Sequence, residues 1–241
     1  MDATPLAGRV AIVTGAGRGI GRAVAEALAR HGAAVSLAAR TRGELAAVAE
    51  AIRDAGGRAL AVPTDVTQDA RVEALVDATV GELGRVDILV TSAGVAAFGP
   101  VAAAKATDWD PMLVVNLRAV MSCCRAVLPP MIRQKSGTIV NVASVAATRA
   151  IPGAAAYAAT KAGVVAWSHV LAEELRADGI RVGVISPGAV DTPLWDTIPG
   201  GPDRARMLTV DTVARAVLLM VTLPAGATME DVTLLPAGGI L

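Results

Sequence analysis

The chain is poor in the residue types that most often advertise a function. Its 241 residues include only five aromatics (three Trp, one Tyr, one Phe), two Cys and two His. Cys123 and Cys124 are adjacent, and no second pair exists to build a disulfide framework or a zinc site. They read as small packing residues on a helix. His31 and His169 lie far apart without ligand spacing, so no metal site is expected. An excess of charge is missing too. Lys plus Arg and Asp plus Glu total 22 each, with no run of like charges to hold a nucleic acid or an anionic membrane. Met1 and Asp2 open a mixed segment rather than a basic stretch and an apolar run, so no secretory signal is expected and a cytoplasmic location is. Mean hydropathy is +0.54, but Ala and Val supply most of it. Charges or prolines interrupt each apolar stretch before a membrane span of about 20 residues.

What the chain has is apolar residues, 54% of the total, in a repeating order. Short β-branched runs at 10–14, 34–38, 59–62, 88–91, 138–142, 181–185 and 231–235 alternate with Ala-rich segments of helical period near 19–30, 42–55, 68–83, 108–133, 154–177 and 211–223. That alternation predicts an α/β fold of the Rossmann type, a doubly wound, seven-stranded parallel sheet with helices on both faces. No composition shift divides it, so residues 1–241 are expected to form a single domain. One irregular stretch interrupts the order, holding Pro187, Gly188, Pro193, Pro199, Gly200, Gly201 and Pro202. It follows a strand's carboxyl end, where ligands bind in such sheets, and is read as a substrate lid at about 186–210.

After the first strand comes Thr14-Gly15-Ala16-Gly17-Arg18-Gly19-Ile20-Gly21, within which a helix opens. Glycines let backbone approach a pyrophosphate, and the helix N-terminus offers free N–H groups and a positive dipole end. In this strand, turn and helix context the loop predicts dinucleotide binding by Gly15, Gly17, Arg18, Gly19, Ile20 and Gly21. NAD-specific domains carry a carboxylate at the end of the second strand. This chain reads Ala38-Ala39-Arg40-Thr41-Arg42 there, so NADP(H) is expected over NAD(H), with Arg40 and Arg18 clamping the 2′-phosphate. The alternative is that both arginines are solvated surface charges. Asp65, after the third strand and beside Val66, suits the adenine amino group, or else serves a turn.

The single tyrosine, Tyr157, has one of only three lysines, Lys161, four residues on. Chance would place a lysine there about 1% of the time, and the spacing puts both side chains on one helical face. A phenol titrates near pH 10 unless a cation stabilises its phenolate, which the Lys161 ammonium can do. Ser144 follows the fifth strand and could orient a carbonyl oxygen, although alone it would be a helix cap. Asn116 sits in the apolar run Val114-Val115-Asn116-Leu117, where a buried amide must find partners.

With these residues in hand, the chain resembles the short-chain dehydrogenase/reductase family from end to end. The family's glycine motif matches Thr14, Gly15, Gly19 and Gly21, and its catalytic tetrad matches Asn116, Ser144, Tyr157 and Lys161 in order and separation. The resemblance implies that Tyr157 is the general acid/base, that Lys161 lowers its pKa and holds the nicotinamide ribose, that Ser144 orients the substrate oxygen, and that Asn116 supports a water-mediated proton relay. It further implies cofactor contacts from Ala93, Gly94, Pro187, Gly188, Val190 and Thr192. Two departures stand out. Thr91-Ser92-Ala93-Gly94 replaces the usual Asn-Asn-Ala-Gly, and the run from Met229 to Gly239 resembles small-molecule alcohol and carbonyl dehydrogenases more than 3-oxoacyl carrier-protein reductases.

The expected activity is NADP(H)-dependent interconversion of a secondary alcohol and a ketone or other small carbonyl compound. Val95, Phe98, Ile151, Leu194 and Trp195 are the candidate substrate contacts, with Ser144 and Tyr157, and Ile198 and Met207 further along the lid; an apolar pocket for a hydrophobic or aromatic ketone follows. A 3-oxoacyl-thioester reductase is the alternative enzyme. Its acidic carrier protein would need a basic patch, for which Arg149, Arg204 and Arg206 are the candidates. The alternative outside catalysis is a silent nucleotide-sensing protein. A homodimer or homotetramer formed through helices 108–133 and 154–177 is expected from the resemblance.

Overall fold

Residues 4–198 and 201–240 are described by the computed structural model; Met1 and Asp2, and Pro199 and Gly200 of the expected lid, lie outside them. The β-branched and small residues of β1 (Val10–Thr14), β4 (Ile88–Thr91) and β5 (Gly137–Val142) are buried at every position. Strands covered on both faces show this pattern. β2 (Ala34–Ala39) and β6 (Ile180–Pro187) flank them, and the half-exposed β3 (Arg58–Pro63) and β7 (Asp231–Leu234) form the edges. All seven pair in parallel in the order β3-β2-β1-β4-β5-β6-β7. The expected Rossmann-type sheet is therefore present. Its order reverses between β1 and β4, which opens a crevice at the carboxyl ends of the strands.

Alternation along each strand feeds two cores. Ala11 and Val13 pack with α1 (Gly19–Arg30), α2 (Arg42–Asp54) and α7 (Val210–Thr222) through Val24, Leu28, Leu45 and Val217. Ile12, Leu89 and Ile139 pack on the other face with α3 (Asp69–Leu83), α5 (Ala119–Gln134) and α6 (Ala155–Leu175) through Leu75, Val127, Val164 and Leu171.

The continuous α-helix expected over 108–133 is corrected. A 3₁₀ turn, Ala106–Asp108, leads into α4 (Asp110–Met112), a π-helical stretch, Leu113–Arg118, and only then α5. Asn116 lies in the π-helical stretch, fully buried, with its amide hydrogen-bonded at both ends to the main chain of Val95. A widened turn of this kind accommodates such an insertion in the helical ladder. The segment Ala106–Gln134 is long and apolar enough to cross a membrane, yet Val120, Cys124, Val127 and Met131 belong to the core beneath it.

At the opposite end of the sheet, Asp87 ties the strand starts together. Its buried carboxylate accepts from Val10 N (2.9 Å), Arg9 (3.1 Å) and Nε and Nη2 of Arg85 (2.7 and 2.6 Å).

Candidate active site

The glycine loop leaves β1 against the loop that follows β4. Thr14 Oγ1 accepts from Ser92 N (3.1 Å) and Ala93 N (3.3 Å). Gly15 has φ +67°, and a Cβ on it would lie 2.8 Å from Ala93 N. A Cβ on Gly21 would lie 2.3 Å from Gly15 O, so that position is closed to any side chain. α1 starts at Gly19 with no side-chain cap and no acidic residue in its first turn. Its free N–H groups and dipole are therefore directed into the crevice.

That crevice is a cavity of about 730 Å³ running from Arg40 and Asp65 at one end to Tyr157 and Trp195 at the other. Every expected cofactor contact except Gly21 lines it: Gly15, Gly17, Arg18, Gly19, Ile20, Arg40, Asp65, Val66, Ala93, Gly94, Tyr157, Lys161, Pro187, Gly188, Val190 and Thr192. Gly21 packs on the loop behind it. Arg18 and Arg40 are exposed and form no ion pair with a described carboxylate. Asp65 lines the wall but also holds its own turn, accepting from Thr67 Oγ1 (2.8 Å), Thr67 N (3.0 Å) and Gln68 Nε2 (3.4 Å). Those bonds, the Thr67 hydroxyl first, lower its pKa from the usual carboxylate value. Glycines with no room for side chains, an uncapped helix start and two exposed guanidinium groups, of which Arg40 also faces the Asp65 carboxylate, together fit a phosphate-bearing dinucleotide.

At the far end, α6 carries Tyr157 and Lys161 one turn apart, as the spacing predicts. Lys161 is 5% exposed. Its Nζ donates to Val142 O at 2.8 Å and stands 5.8 Å from the centre of the Tyr157 ring. Burial pushes the ammonium down to about 8 and the Tyr157 phenol up, while a hydrogen bond from Ser144 opposes the rise at Tyr157. Ser144 is also the cap of the turn Val145–Ala147, accepting from Ala146 N at 3.2 Å. The capping role considered for it is therefore present, and its bond to Tyr157 places the hydroxyl beside the phenol.

Asn116 does not line the cavity. Its Oδ1 accepts from Val95 N (2.9 Å), and its Nδ2 donates to Val95 O (2.8 Å) and Thr160 Oγ1 (3.3 Å). The side chain pins the loop after β4 to α6. Only Gly94 separates it from the catalytic end: a Cβ there would lie 3.5 Å from Asn116 Oδ1 and 4.0 Å from Lys161 Nζ.

The expected substrate contacts Val95, Ile151, Leu194 and Trp195 all line the cavity, as do Phe98 and Ile198. Phe98 stands edge-on to Tyr157 (5.7 Å, 88°) and tilted against Trp195 (6.1 Å, 44°). Three of the chain's five aromatic rings thus meet at one place. Met207 is buried in the fold and lines nothing. Between Pro187 and α7 the chain forms two 3₁₀ turns, Pro193–Thr197 and Arg204–Arg206, and a bridge between Val190 and Leu208. Arg204 is tied to Asp191 (3.0 Å) and Asp196, and Trp195 Nε1 donates to Val190 O at 3.0 Å.

Sequence reasoning missed several wall residues, among them Thr41, Glu44, Thr64, Ser92, Val115 and Ile240. Glu44 enters the wall because the first turn of α2 starts at the same rim as that of α1. Nothing in the pattern pointed to Ile240, which lies beyond the last strand.

The fold and this site define a dinucleotide-dependent oxidoreductase of the doubly wound class. A family model described as short chain dehydrogenase matches residues 9–201, and the chain belongs to that family. It is 36% identical to a 3-oxoacyl-[acyl-carrier-protein] reductase of Synechocystis sp., with 99% of each chain covered. It is also 36% identical to an uncharacterized oxidoreductase of Staphylococcus haemolyticus, over 97% of this chain and 99% of that one. Among solved structures, a metagenomic short-chain oxidoreductase in complex with NADP superposes with a TM-score of 0.84 at 35% identity, covering 97% and 99% of the two chains. A dehydrogenase/reductase from Sinorhizobium meliloti superposes with a TM-score of 0.87 at 32% identity, covering 96% and 95%.

Proposed function

We propose that this oxidoreductase uses NADP(H) to interconvert a secondary alcohol and its ketone, and that its substrate is apolar, with an aromatic ring. The observation that carries the reading is the single cavity that has Arg18 and Arg40 at one end and Ser144, Tyr157 and Lys161 at the other. The NADP complex of the metagenomic relative supports the choice of nucleotide. When bound, the nicotinamide supplies or accepts the hydride. In the reducing direction Tyr157 donates its phenolic proton to the carbonyl oxygen, and Ser144 holds that oxygen by a hydrogen bond. The phenolate left behind is stabilised by the Lys161 ammonium, whose bond to Val142 O leaves two protons free for other acceptors. Asn116 acts as a positioning residue through Val95 and Thr160. Phe98, Trp195, Leu194 and Ile151 supply the apolar wall, and the 186–210 segment serves as the lid of a single catalytic domain. A cytoplasmic homodimer or homotetramer formed through α5 and α6 completes the proposal; Val170, an apolar residue of α6, is 58% exposed.

Parallel titrations with NADPH and NADH, followed by a screen of aryl and aliphatic ketones with the tighter nucleotide, test the reading. Tighter NADPH and turnover of aryl ketones are expected. Turnover restricted to small charged hydroxy acids would refute the substrate class, and binding of neither nucleotide would refute the whole proposal. The name of the Synechocystis relative favours a second reading, reduction of 3-oxoacyl thioesters. Against it, Arg204 is engaged by Asp191 and Asp196, which leaves only Arg149 and Arg206 of the basic patch a carrier protein would need. Assay with an acetoacetyl thioester separates the two.

A further inference from the structure

The adenosine end of the cavity holds a carboxylate that the nucleotide clamp does not call for. Glu44, in the first turn of α2, lines the same wall as Arg18 and Arg40. It lies over the glycine loop, so that a Cβ placed on Gly17 would meet its Oε2 at 2.8 Å and its own Cβ at 3.0 Å. Unlike Asp65, whose oxygens are taken by Thr67 and Gln68, Glu44 forms no hydrogen bond or ion pair with a described residue. Its place in the first turn accounts for a favourable interaction with the α2 dipole. It does not account for a carboxylate packed on the loop that must carry a phosphate.

In doubly wound folds the 2′ position of the adenosine ribose falls between the glycine loop and the end of the second strand. Gly17 and Arg40 mark those two boundaries here, and Glu44 sits against the first of them. We propose that Glu44 is a specificity-determining residue: its carboxylate accepts a hydrogen bond from a ribose 2′-hydroxyl and repels a 2′-phosphate, moderating the NADP preference that Arg18 and Arg40 set. The chain then uses both nucleotides, the arginines rewarding the phosphate and Glu44 opposing it. Discrimination is a difference of two affinities, so a repulsive element tunes it as effectively as an attractive one. This inference rests on the nucleotide assignment proposed above.

The test compares unmodified protein with Glu44→Gln by titrating each with NADPH and NADH, and with adenosine 2′,5′-bisphosphate and 5′-AMP to isolate the adenosine end. Gln keeps the size and removes the charge. The expected result is tighter NADPH, weaker NADH and a selectivity ratio shifted about tenfold toward NADPH, reproduced by the two adenosine fragments and accompanied by an unchanged melting temperature. A ratio within about twofold of the unmodified protein's, or a weaker affinity for NADPH, overturns the role of Glu44 while leaving the NADP(H) assignment intact. If the unmodified protein binds neither nucleotide, the assignment falls and the inference with it.

Discussion

At Lys161 the proposed function and the stability of the fold pull against each other. Its ammonium is buried on α6 with one hydrogen bond, to Val142 O, and burial brings its pKa from 10.5 to about 8. At pH 7 the folded chain holds a proton that the interior disfavours. About 2.5 pKa units at about 1.4 kcal/mol each put the penalty near 3 kcal/mol. Between pH 8 and 10.5 the unfolded chain binds more protons than the folded one. Stability from this group is therefore complete above 10.5 and lost as pH falls toward 8. Lys161→Met keeps the length of the side chain and removes the charge. Losing the bond to Val142 O costs about 1 kcal/mol, which leaves a gain of about 2 kcal/mol at pH 7, or roughly 4–8 °C in melting temperature for a chain of this size. The gain should vanish near pH 10 and turn into a deficit of up to about 1 kcal/mol at higher pH, where only the lost bond to Val142 O remains, while catalysis is lost at every pH. Thermal unfolding of both proteins between pH 6 and 10.5 measures this. A variant that is less stable than the original at pH 7, or a difference that does not change with pH, would refute the reasoning.

Tyr157→Phe should lower kcat by about 10²–10⁴-fold with little change in nucleotide affinity; undiminished turnover would remove the phenol from the chemistry, and a chain inactive before the substitution would point to the nucleotide-sensing alternative. Phe98→Ala removes the ring that touches both Tyr157 and Trp195, so KM for an aryl ketone should rise by more than KM for a small aliphatic one; equal rises would argue against an aromatic pocket. Asp87→Ala strips the partner from two half-exposed arginines and from Val10 N, and should destabilise the chain by about 1–3 kcal/mol, chiefly through the orphaned buried N–H, while leaving the NADPH to NADH affinity ratio where it was. Gly21→Ala should prevent nucleotide binding or folding outright, because its Cβ would sit 2.3 Å from a backbone oxygen; a stable, fully active variant would refute the close packing of α1 on the glycine loop.

The sheet was legible because each strand is a short β-branched run between helical periods. Expected and observed bounds coincide for β1 and β4 and differ by at most two residues elsewhere, the ladder carrying β6 on to Pro187, where Leu234 pairs with it. The pairing of Tyr157 and Lys161 on one face of α6 was legible because Tyr and Lys are so scarce that an i, i+4 pair stands out. Periodicity gave no warning of the π-helical stretch at Asn116, since an apolar run looks the same in an α-helix and in a widened turn. The partners that fix its geometry, Val95 and Thr160, are 21 and 44 residues away. Glu44 escaped for a related reason: hydrophobic period says which face of α2 is buried, and not where its first turn points.

The Thr91-Ser92 departure illustrates how the sheet holds its site by other means. Where the family shows an asparagine, Thr91 Oγ1 donates to Asn141 Oδ1 of the neighbouring strand at 2.7 Å, and Asn141 Nδ2 donates to Ser168 Oγ on α6 at 2.9 Å. All three residues are buried, so none of these groups has water to fall back on. The chain of bonds runs from β4 through β5 to the helix that carries Tyr157 and Lys161, while Thr14 secures the Ser92 and Ala93 amides from the other side. Asn141 also lies 3.5 Å from Cys124 Sγ, and burial raises that thiol to about 12, so it serves as a neutral packing group and not a nucleophile. Breaking the chain at one end should be felt at the other. Thr91→Val leaves Asn141 Oδ1 without its strongest donor and is expected to cost about 1–3 kcal/mol. It should also weaken catalysis more than it weakens nucleotide binding, because α6 loses a brace that the glycine loop does not share. Equal losses in the two, or none in either, would show that α6 is positioned by its apolar packing alone.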